Sequence, residues 1–335
     1  MTKLSRHFAA LAAGAATVAL LAGTALADPA IIYDAGGKFD SSFNEAAYNG
    51  AEKWKADTGG TYAELEITDD SQREQYLRQF AERGNSPIIT PGYNFATALA
   101  KVAPEFPNIH FVILDDASVD LPNVRSVTFK EQEGSYLVGI VAAMKSESGK
   151  IGVVPAFNLD LLEAFACGYK QGAKSVKPDV TVLENYIGTG FDAFGDKPKA
   201  IEVGRAQLDQ GADVLYQVAG GAGAGVLQAA ADAGKFGIGV DSNQNGMFPG
   251  NVLTSMVKRV DVATYNAMKD EQDGKFTAGH ITLGLAEDGV GAAFDDNNAS
   301  LITPEIKAAV DKATADIISG AVEVHDFRTD KACPA

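Results

Sequence analysis

Along the chain, short runs of consecutive apolar residues alternate with longer stretches whose apolar positions recur every three or four residues. The first pattern reads as buried strand and the second as amphipathic helix. Residues 30–34 predict a strand and residues 42–55 a helix, with Ser42 and Glu45 at capping-box spacing. Residues 62–67 alternate as a strand does, and Ser71 with Glu74 opens a helix to residue 83. Strands follow at 87–90, 110–114 and 124–129, with a helix at 96–103. Thr128 with Glu131 is read as the cap of a helix running to residue 145. The second half repeats the theme, with strands at 150–154, 180–186, 213–218 and 236–240. Its helices fall at 161–176, 197–210 and 225–233, and a further strand and helix at 252–257 and 261–274. Thr303-Pro304-Glu305 marks the start of a last helix, which ends near residue 319.

Regular β-α alternation implies parallel sheets covered by helices on both faces. Two such runs, roughly 28–129 and 130–254, predict two doubly wound domains, and the chain continues past the second.

Composition narrows the partners. Of 335 residues, 44 are Asp or Glu against 28 Lys or Arg, a formal charge of −16, so nucleic acid and anionic membranes are poor electrostatic matches. The first 27 residues read as a cleaved export signal. Lys3, Arg6 and His7 lead an apolar stretch to residue 21, and Ala25-Leu26-Ala27 has the form of a cleavage site. No cysteine stands at that junction to receive a lipid, so the expectation is a soluble periplasmic protein that is not inserted in the membrane. Removing the segment takes away two basic residues and no acid, moving the charge to −18. The histidines, His7, His110, His280 and His325, lack metal-ligand spacing, and neither metal nor cofactor is expected. Cys167 lies in an apolar helical stretch and reads as an inert core residue, while a pairing with Cys333 stays open.

In open α/β sheets, ligands gather beyond the carboxyl ends of the strands. There the chain places Asp34 with a following loop that holds Phe43 and Asn44, then Asp115-Asp116, Tyr216 with Gly220-Gly221, Asp241, and Lys258. Carboxylates, amides and a few cations suit a polyhydroxylated neutral ligand, and aromatic rings suit a flat base. The glycine-rich stretch 220–225 imitates a dinucleotide-binding turn, but no third small residue falls where that motif needs one. It reads instead as a tight strand-to-helix turn where backbone approaches a ligand. No nucleophile elbow, phosphate loop or H-E-x-x-H helix is present, which argues against an enzyme.

Five segments resemble the basic membrane protein (BMP) family of substrate-binding proteins, also called the purine nucleoside receptor group. They are residues 34–50, 124–139, 211–225, 238–244 and 252–260, in order along nearly the whole chain. The resemblance implies a type I periplasmic binding protein, with two α/β lobes joined by a three-stranded hinge. The division expected is 28–129 with 255–280 in one lobe, and 130–254 with 281–330 in the other. It also implies a monomer that binds a purine nucleoside between the lobes and delivers it to the permease of an ABC importer in the inner membrane. By motif position, Asp34 would contact the base, Phe43 would stack on it and Asn44 would lie beside them. Asp115 would match the family acid, and Tyr216 would cover the second ring face. Gly220 would allow close approach, and Asp241 with Lys258 would hold the ribose hydroxyls. Phe191 and Phe194 are further aromatic candidates. A free base or a sugar on the same scaffold, or an exported nucleoside-processing enzyme, is the rival expectation.

Overall fold

The computed structural model of the chain describes residues 28–34, 36–69 and 71–335, so the export segment expected at residues 1–27 lies outside the described residues. Strands β1 (Ala30–Tyr33), β2 (Ala63–Glu66), β3 (Ile88–Pro91), β4 (Phe111–Leu114) and β5 (Val124–Phe129) alternate with helices α1 (Phe43–Thr58), α2 (Gln72–Glu82) and α3 (Ala96–Val102). After helix α4 (Glu131–Lys145) come β6 (Lys150–Pro155), α5 (Asp160–Val176), β7 (Thr181–Glu184), α6 (Lys197–Asp209), β8 (Val214–Val218), α7 (Gly223–Asp232), β9 (Phe236–Asp241) and β10 (Val252–Lys258). The chain closes with α8 (Val260–Gln272), β11 (Gly279–Leu283), β12 (Val290–Ala292) and α9 (Pro304–Ile318).

The strands form two six-stranded sheets, in the orders β11-β5-β4-β3-β1-β2 and β12-β10-β9-β8-β6-β7. Among the described residues every pairing is parallel except β12 on β10. Alternate residues of one strand enter different cores: Ile31 and Tyr33 face one apolar cluster, Ala30 and Ile32 the other. Burial on both faces is why these strands are uninterrupted apolar runs. Helices α4 and α5 pack unusually close. A Cβ on Gly139 would lie 2.2 Å from the Tyr169 carbonyl oxygen, and one on Gly172 would lie 1.9 Å from that of Tyr136.

The chain passes between the lobes three times, at 129–131, 258–260 and 283–290. The passes lie side by side. The Lys130 N–H donates to the Leu283 carbonyl at 3.0 Å, and the Arg259 N–H donates to that of Gly289 at 2.9 Å. The boundaries expected at 254/255 and 280/281 fall inside β10 and β11, each of which belongs whole to one sheet. Two capping assignments differ from expectation. Ser42 makes no cap bond; Asp40 instead accepts from the backbone N–H groups of Ser42, Asn44 and Glu45 at 2.8–3.1 Å. Thr128 remains in its strand, and Glu131 turns inward to two cations. Cys167 is not a free core thiol: it is bonded to Cys333, with a Cα–Cα distance of 5.5 Å.

Candidate ligand-binding site

The carboxyl ends of β1, β3 and β4 in one lobe face those of β8, β9 and β10 in the other across a cleft. Its empty space is about 710 Å³, mouth included. Of the expected residues, Asp34, Phe43, Asn44, Asp115, Gly220, Asp241 and Lys258 all line it. Asp115 and Asp241 come from opposite sheets by the same device. Each sits at or just after a strand end with positive φ, 68° and 63°, a left-handed conformation that Asp tolerates better than most residues. That turn aims both carboxylates into the cleft. Asp116 instead accepts from Ser118 at the surface.

Lys258 is the electrostatic centre. Its ammonium is 2.5 Å from Asp115 and 3.0 Å from Glu131, and its side chain is 1% exposed. The rings of Phe43, Phe129 and Phe165 surround it at 5.1–5.4 Å. Burial pulls this ammonium down, but the carboxylates of Asp115, Glu131 and Asp241 outweigh burial and leave it above its ordinary value. Burial pushes Asp115 and Asp241 up to about 6, against the opposing pull of Lys258. Asp34 is held by Arg73 at 2.5 Å and by the Asn94 amide at 3.3 Å.

Two buried acceptors in the cleft wall, Asn44 Oδ1 and Asp115 Oδ1, find no hydrogen-bond partner among the described residues. A buried acceptor without a partner is costly, so a ligand donor is the natural complement. The lobes also touch directly. Ser42 Oγ donates to Asp241 Oδ2 at 2.6 Å, Ser242 Oγ to the Ser42 carbonyl at 2.8 Å, and Gln244 Nε2 to the Ser41 carbonyl at 2.8 Å. These bonds hold the cleft closed.

Tyr216 is a correction. It is 0% exposed, packs on Tyr169 with ring centroids 5.0 Å apart, and meets Ser135 at 3.1 Å through its hydroxyl. It stands two residues before the end of β8, which places its ring beneath the cleft wall. The aromatic surface on that lobe comes instead from Phe165, Phe191 and Phe194. Phe191 and Phe194 stack edge-on at 5.2 Å, and Tyr93 of the facing lobe meets Phe191 at 6.4 Å. Gly220 has φ 52°, and a Cβ there would lie 3.2 Å from the Phe194 ring. Sequence reasoning missed Phe165, Leu161 and Leu162, which reach the cleft from the first turns of α5. The signal was available, because α5 follows the strand end of β6 just as the other site loops follow theirs. Among the described residues no cluster of His, Cys, Asp and Glu could hold a metal, and no helix is long and apolar enough to cross a membrane.

Comparison with known proteins matches residues 29–326 to the Bmp family, described as ABC transporter substrate-binding protein PnrA-like. The ABC transporter nucleoside-binding protein BmpA of Lactococcus lactis is 34% identical over 319 residues, covering 88% of each chain. An uncharacterized lipoprotein of Pyrococcus horikoshii is 34% identical over 78% of this chain and 67% of its own length. Among solved structures, an ABC transporter solute-binding protein from Aeropyrum pernix superposes with a TM-score of 0.83 at 27% identity. That match covers 91% of this chain and 95% of the other.

Proposed function

The chain belongs to the Bmp family of PnrA-like ABC transporter substrate-binding proteins, and from that premise we propose that it captures a purine nucleoside in the cleft and delivers it, chemically unchanged, to the permease of an ABC importer. The observation that carries the reading is the pairing of unpartnered acceptors with aromatic rings in one closed space. Asn44 Oδ1 and Asp115 Oδ1 await donors, and the Phe43 ring lines the same cleft, its centroid 5.1 Å from the Lys258 ammonium. A nucleoside supplies what these groups lack: a flat base for Phe43 and N–H and hydroxyl donors for the amide and carboxylates. In this reading Asp34 and Asn44 take the base edge. Asp115, Asp241 and Lys258 take the ribose hydroxyls, and Phe165, Phe191 and Phe194 close over the second face. The relative named a nucleoside-binding protein supports the ligand class.

Binding would draw the lobes together about the three adjoining passes, and the closed form would be the one the permease recognises. Export to the periplasm through the first 27 residues and a monomeric state belong to the same proposal. The test is a thermal-shift screen of nucleosides, free bases and sugars. A ligand that binds only the folded protein stabilises it by RT ln(1 + [L]/Kd). Purine nucleosides should raise Tm, and inosine incubated with the protein should be recovered intact. No shift with any purine removes the ligand assignment, and release of free base removes the transport role.

A further inference from the structure

Beyond α9 the chain turns back over the junction between the lobes. A short 3-10 turn, Phe327–Thr329, is followed by two anchors on α5. Lys331 reaches Asp160 at 2.5 Å, and Cys333 is bonded to Cys167, 166 residues earlier in the chain. The strap so fixed directs Arg328 inward, where Asp326 braces its guanidinium at 2.9 Å. Arg328 Nη1 lies 2.9 Å from Glu131 Oε2, and Nη2 donates to the Phe129 carbonyl at 3.1 Å. Both partners flank the first pass between the lobes. Glu131 is wholly buried, and its other oxygen lies 3.0 Å from the Lys258 ammonium. An unbroken line of charges, Arg328–Glu131–Lys258–Asp115, therefore connects the C-terminal strap to the cleft wall.

We infer that Arg328 is a positioning residue for the binding site: by occupying one oxygen of Glu131, it leaves Lys258 shared with Asp115 and so fixes the ammonium in the cleft. The inference rests on the reading of Lys258 as a ligand contact. With Arg328 present, three buried carboxylates, Asp115, Glu131 and Asp241, face two cations. Without it they face Lys258 alone, and Glu131 loses its second partner. In a poorly solvated interior that carboxylate draws the remaining cation towards itself. Lys258 then leaves Asp115, and the site loses the geometry that receives the ligand hydroxyls.

The test compares Arg328→Met, Arg328→Lys and the double variant Glu131→Gln/Arg328→Met, using inosine titrations and ligand-free crystal structures. Arg328→Met should weaken inosine binding roughly tenfold, within the usual range of coupling between distant sites. Its crystal structure should show Lys258 turned to Glu131 and away from Asp115. Arg328→Lys should retain affinity within a few-fold. The double variant should bind more tightly than Arg328→Met, because a neutral amide in place of the Glu131 carboxylate no longer competes for Lys258. A merely structural role predicts the reverse, two lesions being worse than one. Where Arg328→Met does not fold, Cys333→Ser releases the strap with every charge retained, and the same displacement of Lys258 is expected. An unchanged Lys258–Asp115 pair with wild-type affinity, or a double variant no better than the single, overturns the inference. If the wild-type protein binds no purine nucleoside, the functional reading fails, and the ligand-free structures still decide the role of Arg328.

Discussion

Replacing Lys258 by Met removes one charge while keeping a flexible chain that can pack among Phe43, Phe129 and Phe165. What it leaves behind decides the outcome. Asp115 loses a partner at 2.5 Å and Glu131 one at 3.0 Å, with the lysine side chain only 1% exposed, so solvent does not soften the loss. Breaking a buried pair by deleting one partner costs about 3–5 kcal/mol. The cost should depend on pH with a definite sign. Burial already holds Asp115 and Asp241 up at about 6, above their ordinary value, and loss of the ammonium raises them further. A carboxyl whose folded-state pKa is raised binds more protons in the native state, so its penalty grows as pH rises and disappears below its unfolded value. Chemical denaturation of wild type and Lys258→Met at pH 8 and pH 5 reads this directly. The variant should lose about 3–5 kcal/mol at pH 8 and clearly less at pH 5. An equal loss at both values would refute the claim that uncompensated carboxylates, rather than packing, carry the effect.

Three further outcomes follow from the same geometry. Phe43→Ala removes a stacking surface worth about 1–3 kcal/mol, so calorimetry should show inosine affinity reduced roughly 5- to 150-fold with the unfolding midpoint nearly unchanged. Nucleoside affinity itself should be highest above pH 6. Ligand hydroxyls bond the ionised forms of Asp115 and Asp241, so affinity falls by up to about tenfold per pH unit per carboxylate as pH drops through 6. A flat profile from pH 8 to 5 would remove these two acids from the ligand contact. Ser42→Ala deletes the 2.6 Å bond to Asp241 across the cleft, a bond to a charged group worth about 1.5–3 kcal/mol. Small-angle scattering of the ligand-free variant should show a larger radius of gyration than wild type, with weaker inosine binding.

The strands that carry the site were legible because both of their faces are buried, which writes them as runs such as Ala30-Ile31-Ile32-Tyr33. Acids at their ends stood out for the same reason, as abrupt polar residues after apolar ones. Of the four edge strands, β2 and β7 were legible, but β11 and β12 were not. β11 is largely exposed and β12 has three residues, so neither carries a hydrophobic signature. Ser42 and Glu131 were misread for a shared cause: each has the residue type and spacing of a cap, but distant tertiary partners, Asp241 and Lys258, claim the side chain. Tyr216 has the right strand and the wrong depth, which only the position of the strand end reveals. The Cys167–Cys333 bond joins helix to tail across 166 residues, a distance no local pattern encodes.

The three adjoining passes have a consequence for how the molecule comes into being. The first sheet needs β11 at residues 279–283 as its last strand, so it stays unfinished until most of the polypeptide has been made. The second sheet waits longer still, for β12 at 290–292. Neither half can be excised as one continuous fragment, and a chain threaded outward from its amino end cannot complete either half before the other is nearly through. With export as proposed, assembly is thereby deferred to the far side of the barrier, where the thiols that fasten the tail also meet an oxidising medium.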